Sequence, residues 1–256
     1  MAKISDIAAY LSEKIPPALK EDYDNVGLLC GFPDDDTRRV LIALDVTLEA
    51  IREAEDLGAG LIVAHHPVIF TPMNRVLDND PAGRRVIRLI RSGISAVCMH
   101  TNLDRLEGGV NTALAQALGA KIVQMLDMGC VAELPCSDLM DTASFLSLTK
   151  KTLRADDIRF HDAGRPVGRI AVCGGAGGDI IYEAERLGCD TVLTGEIKHH
   201  QWIDGRELGM NLIEAGHFAT ENVVLTALAE MLRQGFPELE ITLSQQGSPT
   251  SGWTGQ

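Results

Sequence analysis

The sequence is poor in aromatic residues and contains no long apolar run. Phe, Trp and Tyr make up 4% of its 256 residues. A transmembrane helix needs about 18 consecutive apolar residues, and no such run occurs. No basic segment followed by an apolar stretch opens the chain in the manner of a signal peptide. We therefore expect a soluble, cytoplasmic protein with no membrane partner.

Basic residues and paired cysteine motifs are also scarce. The chain has 23 Lys and Arg against 36 Asp and Glu, a formal net charge of −13. Binding to nucleic acid requires basic patches that release counterions, so we expect no nucleic-acid partner. The six cysteines, which show no CxxC spacing, are Cys30, Cys98, Cys130, Cys136, Cys173 and Cys189. Several lie in apolar runs, as buried reduced thiols do, so we expect no disulfide framework.

The sequence does contain a repeated alternation of short apolar runs and amphipathic segments. The strand-like runs include 40–44, 61–64, 94–99, 169–173, 191–194 and 212–216. Helical patterns include 5–15, 48–57, 82–92, 110–118, 180–187 and 221–233. This alternation predicts an α/β fold whose sheets are largely parallel and flanked by helices. Residues 145–153 alternate weakly, and the polar tail 245–256 is expected to be mobile.

Histidines follow three of these runs, at the point where each run ends. They are His65, His66, His100 and His217. In open α/β sheets ligands bind beyond the carboxyl ends of the strands, so we expect these imidazoles to line a binding crevice. Two acids accompany them, because Asp104 lies four residues after His100 and Glu221 lies four residues after His217.

This donor set predicts a metal site, and the adjacent histidines predict two ions. His65 and His66 diverge where the chain turns into Pro67, so each can serve a different ion. Imidazole and carboxylate ligands without thiolate suit divalent Zn, Mn, Fe, Co or Ni and do not choose among them. The predicted metal ligands are His65, His66, Asp104, His217 and Glu221.

Two residues receive catalytic assignments. We expect His100 to assist proton transfer; it either orients Asp104 or bound water from behind the ligands or binds an ion directly. We expect Glu221 to bridge both ions. A pair of metal ions activates water and binds the oxygens of the bond that breaks, so hydrolysis is the expected chemistry.

The chain resembles the dinuclear metal-centre protein family, whose members are often labelled GTP cyclohydrolase I type 2 homologues or interacting-factor-three-like proteins. The matching segments are DNVGL at 24–28, ALDVT at 43–47, HHPVIF at 65–70, HTNLD at 100–104, GGVN at 108–111 and GHFATE at 216–221. The resemblance implies two interlinked α/β lobes, a ring-shaped homohexamer and the same five metal ligands. We place the metal-binding lobe at 1–125 and 208–256 and the second lobe at 126–207.

Two kinds of function remain open from the sequence. One is a hydrolase acting on a small phosphorylated or nucleotide-like substrate, either as a cyclohydrolase or as a phosphoesterase. The other is a non-enzymatic metal-binding, metal-handling or interaction scaffold protein.

Three further features also have two interpretations each. The glycine-rich turn 174–178 either cradles a phosphate or is a tight strand-to-helix turn. Glu196, His199 and His200 either line the site or lie on a surface helix. The helix that carries Arg84, Arg85, Arg88 and Arg91 either binds phosphate or a partner, or presents a solvated face.

Overall fold

A computed structural model of the chain describes residues 1–135 and 140–250. Cys136 and the last part of the predicted mobile tail, 251–256, lie outside the described residues. The chain forms two compact units, Met1–Leu106 with Leu225–Gly247, and Glu107–Val224 with residues 248–250. Each unit combines a sheet with helices, which confirms the predicted α/β class.

The elements alternate along the chain as the pattern of apolar runs predicts. The strands are β1 (Ala2–Lys3), β2 (Gly27–Cys30), β3 (Asp36–Thr37), β4 (Arg39–Ala43), β5 (Leu61–Ala64), β6 (Ser95–Cys98), β7 (Lys121–Met125), β8 (Cys130–Glu133), β9 (Arg159–His161), β10 (Arg169–Cys173), β11 (Thr191–Thr194), β12 (Asn211–Glu214) and β13 (Glu240–Leu243). The helices are α1 (Ile4–Lys14), α2 (Leu48–Leu57), α3 (Pro81–Ser92), α4 (Thr101–Arg105), α5 (Val110–Ala117), α6 (Thr142–Leu153), α7 (Ile181–Arg186), α8 (His199–Glu207), α9 (His217–Glu221) and α10 (Val224–Gly235). Two 3-10 turns span Pro17–Leu19 and Gly178–Ile180.

The sheet of the first unit has the strand order β13-β4-β5-β6-β2. Its first four strands are parallel, and β2 pairs antiparallel with β6 at the edge. Residues of β5 and β6 are fully buried, as expected of a parallel sheet covered on both faces. Ile51 of α2 and Leu89 of α3 pack with Leu41 and Ile62 in one hydrophobic core. The largely parallel arrangement predicted from the sequence therefore holds for this sheet.

The sheet of the second unit is mixed, which corrects that prediction. Its order is β7-β8-β10-β11-β12-β9, and only the ladders β10-β11 and β11-β12 are parallel. A turn at 126–129 joins β7 directly to β8, and so short a connection permits only antiparallel pairing. Alternate residues of β10 face two different cores, with Ile170 on one side and Ala171 on the other. Helices therefore cover both faces of this sheet as well.

The weakly alternating segment 145–153 belongs to a helix and not to a strand. Helix α6 begins after Asp141, whose carboxylate accepts a 2.8 Å hydrogen bond from the Ser144 amide. Phe145, Thr149 and Leu153 are buried at a spacing of four, as on one face of a helix. A threonine at the middle position of this apolar face obscured the helical period in the sequence.

The bounds of the two units differ from the bounds of the predicted lobes. Strand β12 pairs with β11, so 208–224 belongs with the second unit. Strand β7 pairs with β8, so 107–125 belongs there too. His217 and Glu221, placed in the metal-binding lobe from the sequence, are therefore carried by the second unit.

Two expectations drawn from composition concern the cysteines and the membrane. Cys30, Cys98, Cys130 and Cys189 are free thiols. Burial raises the pKa of the Cys98 thiol to about 12, which makes it unreactive. Among the described residues, no helix combines the length and the apolar character that crossing a bilayer requires.

Core packing beneath the first sheet generates a stability prediction. Ile62 lies in the central part of the sheet and is 0% exposed. We expect Ile62→Ala to lower the free energy of unfolding by about 2–5 kcal/mol, because the removed side chain leaves a cavity. Urea denaturation followed by circular dichroism measures the change.

The matched control is Ile90→Ala in the same unit, where the side chain is 51% exposed. We expect this control to change the free energy by no more than about 0.5 kcal/mol. An equal effect of both substitutions would contradict the packing described for this core.

Candidate metal centre

In the first unit, a cluster of polar residues follows the carboxyl ends of three neighbouring parallel strands. Asp45 follows β4, His65 and His66 follow β5, and His100 follows β6. The register aligns Ala43 with Ala64 and Ala64 with Cys98, so the three strands end together. Backbone pairing extends past the strands, because the Met99 amide donates to the Ala64 carbonyl over 2.9 Å. The predicted convergence of these histidines is thus produced by sheet register.

Each of these three imidazoles is oriented by a hydrogen bond at Nδ1. His65 Nδ1 lies 2.9 Å from the Met99 carbonyl oxygen, which can only accept. His66 Nδ1 lies 2.8 Å from Asp45 Oδ1, and His100 Nδ1 lies 2.8 Å from Asp24 Oδ1. Nδ1 therefore carries the proton in each ring, and Nε2 has the lone pair that a metal ion requires.

His65, His66 and His100 form a group that can hold a metal ion. One ring nitrogen from each residue lies within 4.8 Å of the others. The ring centroids of His65 and His66 are 4.8 Å apart, and those of His65 and His100 are 5.2 Å apart. His100 thus stands beside His65 and His66, as a third imidazole that could reach the same ion.

Asp24 organises the His100 side of this group. Its side chain is fully buried and accepts hydrogen bonds from His100 Nδ1, from the Thr101 amide over 3.0 Å and from Thr101 Oγ1 over 2.5 Å. Burial acts to raise the pKa of Asp24, but the hydrogen bonds from His100 and Thr101 hold it below its ordinary value. Burial and the neighbouring His65 lower the pKa of His100. His100 is therefore neutral near pH 7, the form that binds metals.

Asp104 adds a carboxylate to the same unit. It lies on the short helix α4, which begins directly after His100, and its Oδ1 is 3.6 Å from His65 Nε2. The His65 side chain is fully buried and that of Asp104 is 12% exposed. The first unit therefore brings together three imidazoles and one carboxylate, all of them site residues predicted from the sequence.

In the second unit as well, an imidazole and a carboxylate follow the carboxyl end of a parallel strand. His217 and Glu221 lie on α9, which follows β12, and His217 Nε2 is 3.1 Å from Glu221 Oε2. Glu196 follows the neighbouring strand β11, and its Oε1 accepts a 2.9 Å hydrogen bond from His217 Nδ1. His217 therefore has the same tautomer as the three imidazoles of the first unit.

The glycine-rich turn after β10 packs against this pair. A Cβ atom placed on Gly175 would lie 2.1 Å from Glu221 Oε1 and 3.1 Å from His217 Nε2. The amides of Gly174, Gly175 and Gly177 already donate to the side chains of Asn111, Thr220 and Thr194, respectively. These amides are therefore not available to a phosphate. This supports the interpretation of segment 174–178 as a tight strand-to-helix turn over its interpretation as a phosphate cradle.

Other candidate residues of the second unit separate into two groups. His199 and His200 are exposed on α8, as surface helix residues are. Glu196, whose side chain is 60% exposed, instead contacts His217 and fixes its orientation.

The donor side chains of each unit fit a borderline or hard divalent ion. They are His65, His66, His100 and Asp104 in the first unit and His217 and Glu221 in the second. Imidazole with carboxylate is typical of zinc, manganese, iron, cobalt or nickel sites. The oxygen acceptors at Nδ1 are the partners that metal-binding histidines usually have. The residues present therefore fit the metal that the sequence predicted.

Comparison with known proteins places this arrangement in a family. The model of the Duf34/NIF3 (NGG1p interacting factor 3) family matches residues 2–249. The chain belongs to the Duf34/NIF3 family. A GTP cyclohydrolase 1 type 2 homolog of Clostridium perfringens is 33% identical over 242 residues, which are 91% of this chain and 92% of the relative. A relative of the same name from Lactococcus lactis is 32% identical over 252 residues, which are 95% of this chain and 96% of the relative.

The fold is shared with solved structures of this family. Protein SA1388 of Staphylococcus aureus superposes with a TM-score of 0.92 at 28% identity, covering 98% of this chain and 99% of that protein. The resemblance inferred from the six sequence motifs is therefore confirmed. So is the α/β architecture, with the second sheet corrected from largely parallel to mixed.

Some residues that shape the site were not identified from the sequence. The Met99 carbonyl orients His65, but a backbone acceptor has no sequence signature. Asn111 accepts from the Gly174 amide over 2.9 Å and so holds the glycine turn. It lies in the GGVN motif, which indicated family membership but gave no role for this residue.

The contact between Asp24 and His100 generates a testable prediction. We expect Asp24→Ala to remove the acceptor of His100 Nδ1–H, so that the ring proton also occupies Nε2. Long-range ¹H–¹⁵N correlation spectra of the metal-free protein report the tautomer of each histidine. Asp22→Ala, at an exposed position two residues away, is the control and should leave the spectrum of His100 unchanged. An unaltered His100 tautomer in Asp24→Ala would refute the orienting role of Asp24.

Proposed function

We propose that this protein is a two-metal hydrolase of a small phosphorylated or nucleotide-like molecule. The proposed metal ligands are His65, His66, Asp104, His217 and Glu221. The observation that carries the proposal is the shared orientation of the imidazoles, each with Nδ1 engaged by an oxygen acceptor. Metal-binding histidines almost always donate their other ring N–H to such an oxygen acceptor.

The chemistry of the proposed centre follows from its donors. When bound, a pair of divalent ions would supply activated water and electrostatic stabilisation of the oxygens at the bond that breaks. His100, neutral and held by Asp24, is the proposed proton-transfer residue. Glu221, whose side chain is 5% exposed, is the proposed bridging carboxylate. The named relatives are homologs of a GTP cyclohydrolase, which supports a nucleotide-like substrate.

The ring-shaped homohexamer stays a prediction from the family resemblance. So does the identity of the two ions among zinc, manganese, iron, cobalt and nickel.

The decisive experiment combines metal quantification with a substrate panel. We expect about two ions per chain in the wild-type protein, the stoichiometry of a paired site. The loaded protein should hydrolyse at least one compound of a phosphate and nucleotide panel. Glu221→Ala should lose both metal and turnover, whereas Glu185→Ala, an exposed acid of the same unit, should lose neither. Full metal occupancy without turnover on any compound would favour the metal-handling or scaffold function instead.

The close approach of Gly175 to Glu221 gives a second test of the metal centre. Gly175 has φ +62°, and an added Cβ would overlap the Glu221 carboxylate. We expect Gly175→Ala to reduce bound metal, because the carboxylate must move away from its position.

Gly188→Ala is the matched control for this substitution. Gly188 has φ +71°, but nothing lies within 4 Å of its added Cβ. Both variants should carry a similar backbone cost of about 1–2 kcal/mol, and only Gly175→Ala should lose metal by plasma mass spectrometry. Equal metal content in both would argue against a ligand role for Glu221.

A further inference from the structure

A cavity of about 520 Å³ lies in the first unit, within the segment that follows His66. Its wall begins at Pro67, the residue next to that proposed ligand, and ends on α3 at Arg85. Phe70 lines the cavity and also meets His100 edge-on, with the ring centroids 5.9 Å apart. The cavity therefore adjoins the three-histidine group, and its volume lies in the range of small-molecule sites.

The wall of this cavity is held in place at several points. Asn25 Nδ2 donates to the Ile69 carbonyl over 2.6 Å. At the other end the Asp80 carboxylate caps α3 by accepting from the Gly83 amide. A Cβ on Gly83 would lie 2.3 Å from the Leu77 carbonyl oxygen, so only glycine lets this segment approach the helix so closely. The cavity is thus a built feature of the fold.

Arg85 gives the cavity a positive charge that the protein does not neutralise. Its Nε is buried, and among residues 1–135 and 140–250 it has no hydrogen-bond partner. Within the same described residues Arg85 forms no ion pair. Arg75 adds a second guanidinium to the wall, while Asp80 is engaged in the helix cap. In a chain of net charge −13, this local excess of positive charge favours an anionic ligand.

Other arginines of α3 are engaged elsewhere. Arg88 bonds to Glu55, and Arg84 Nε donates to the Asp78 carbonyl over 2.7 Å. Arg91 lines different surface depressions. Of the four arginines in the basic helix, Arg85 is the one that lines the cavity beside the histidines.

Phe70 supplies the apolar part of the cavity. Its side chain is 48% exposed in a chain that has few aromatic residues, and it contacts Tyr23 at a centroid distance of 6.2 Å. An exposed aromatic ring next to a polar group of histidines is a surface on which a planar heterocycle can pack. A guanidinium binds a phosphate by two parallel hydrogen bonds.

We propose that this cavity binds a phosphorylated heterocycle of the nucleoside monophosphate class, with its phosphate on Arg85 and its ring against Phe70. The assignment rests on the proposed hydrolase function, which it deepens by orienting the substrate. In this orientation the heterocycle, and not the phosphate, lies beside His100. This proposed orientation favours ring hydrolysis over phosphoester hydrolysis.

The test measures equilibrium binding of GMP and guanosine to the full-length, metal-quantified protein by calorimetry. Wild-type protein should bind GMP at least about tenfold more tightly than guanosine, because only GMP offers a phosphate to Arg85. Arg85→Met should abolish that difference and leave guanosine affinity unchanged. Arg85→Lys, which keeps the charge without the bidentate geometry, should retain part of it. Phe70→Leu should weaken the binding of both ligands.

Arg91→Met is the matched control, since it removes an arginine from the same helix outside the cavity. It should bind GMP as the wild type does. Unchanged GMP affinity in Arg85→Met, an equal loss in Arg91→Met, or no GMP binding by wild-type protein would each overturn the cavity assignment.

Failure of the cavity assignment can be told apart from failure of the metal proposal. Neither Arg85 nor Phe70 is a proposed metal ligand, so metal content should be the same in these variants and in the wild type. Two ions per chain with Arg85-independent GMP binding would refute only the cavity assignment. Arg85-dependent GMP binding by a protein that takes up no divalent ion when metal is supplied would refute only the two-metal function.

Discussion

Parallel pairing of adjacent strands is the constraint on which both donor groups depend. In the first unit, register aligns the ends of β4, β5 and β6, so the residues that follow them emerge at one sheet edge. In the second unit β10, β11 and β12 do the same for the glycine turn, Glu196 and His217. Backbone hydrogen bonding thus concentrates polar side chains at the edge where α/β sheets bind ligands. The antiparallel strands complete each sheet but contribute none of these donors.

Hydrogen bonding at Nδ1 then converts a cluster of histidines into a set of oriented nitrogen donors. The acceptors come from different parts of the chain, namely a backbone carbonyl after β6 for His65, Asp45 for His66 and Asp24 for His100. Each acceptor fixes both the tautomer and the direction of its ring before any ion binds. Because these rings are already oriented, few side chains have to move when an ion binds. This favours high affinity, and it favours ions whose preferred coordination geometry matches the fixed rings.

The segment after His66 joins the histidine group to the cavity. Its first residues follow directly on His65 and His66, and its later residues line the cavity together with Arg85. Phe70 lies in the cavity wall and contacts His100, so the apolar ring of Phe70 lies between the histidine group and the cavity that Arg85 lines. Within the HHPVIF motif, the residues from Pro67 to Phe70 line this cavity.

The sequence alone predicted the family, the α/β class, most strand and helix positions, and which histidines and acids follow the strand ends. These follow from local patterns, such as apolar runs that end in histidine and acids placed four residues later. The tertiary structure alone decided the hydrogen-bond partners of each ring, the mixed second sheet and the assignment of His217 to the second unit. It also decided that Arg85, and not its neighbours on the same helix, lines the cavity. Such facts depend on strand pairing and side-chain contacts between residues distant in sequence, which no local pattern encodes.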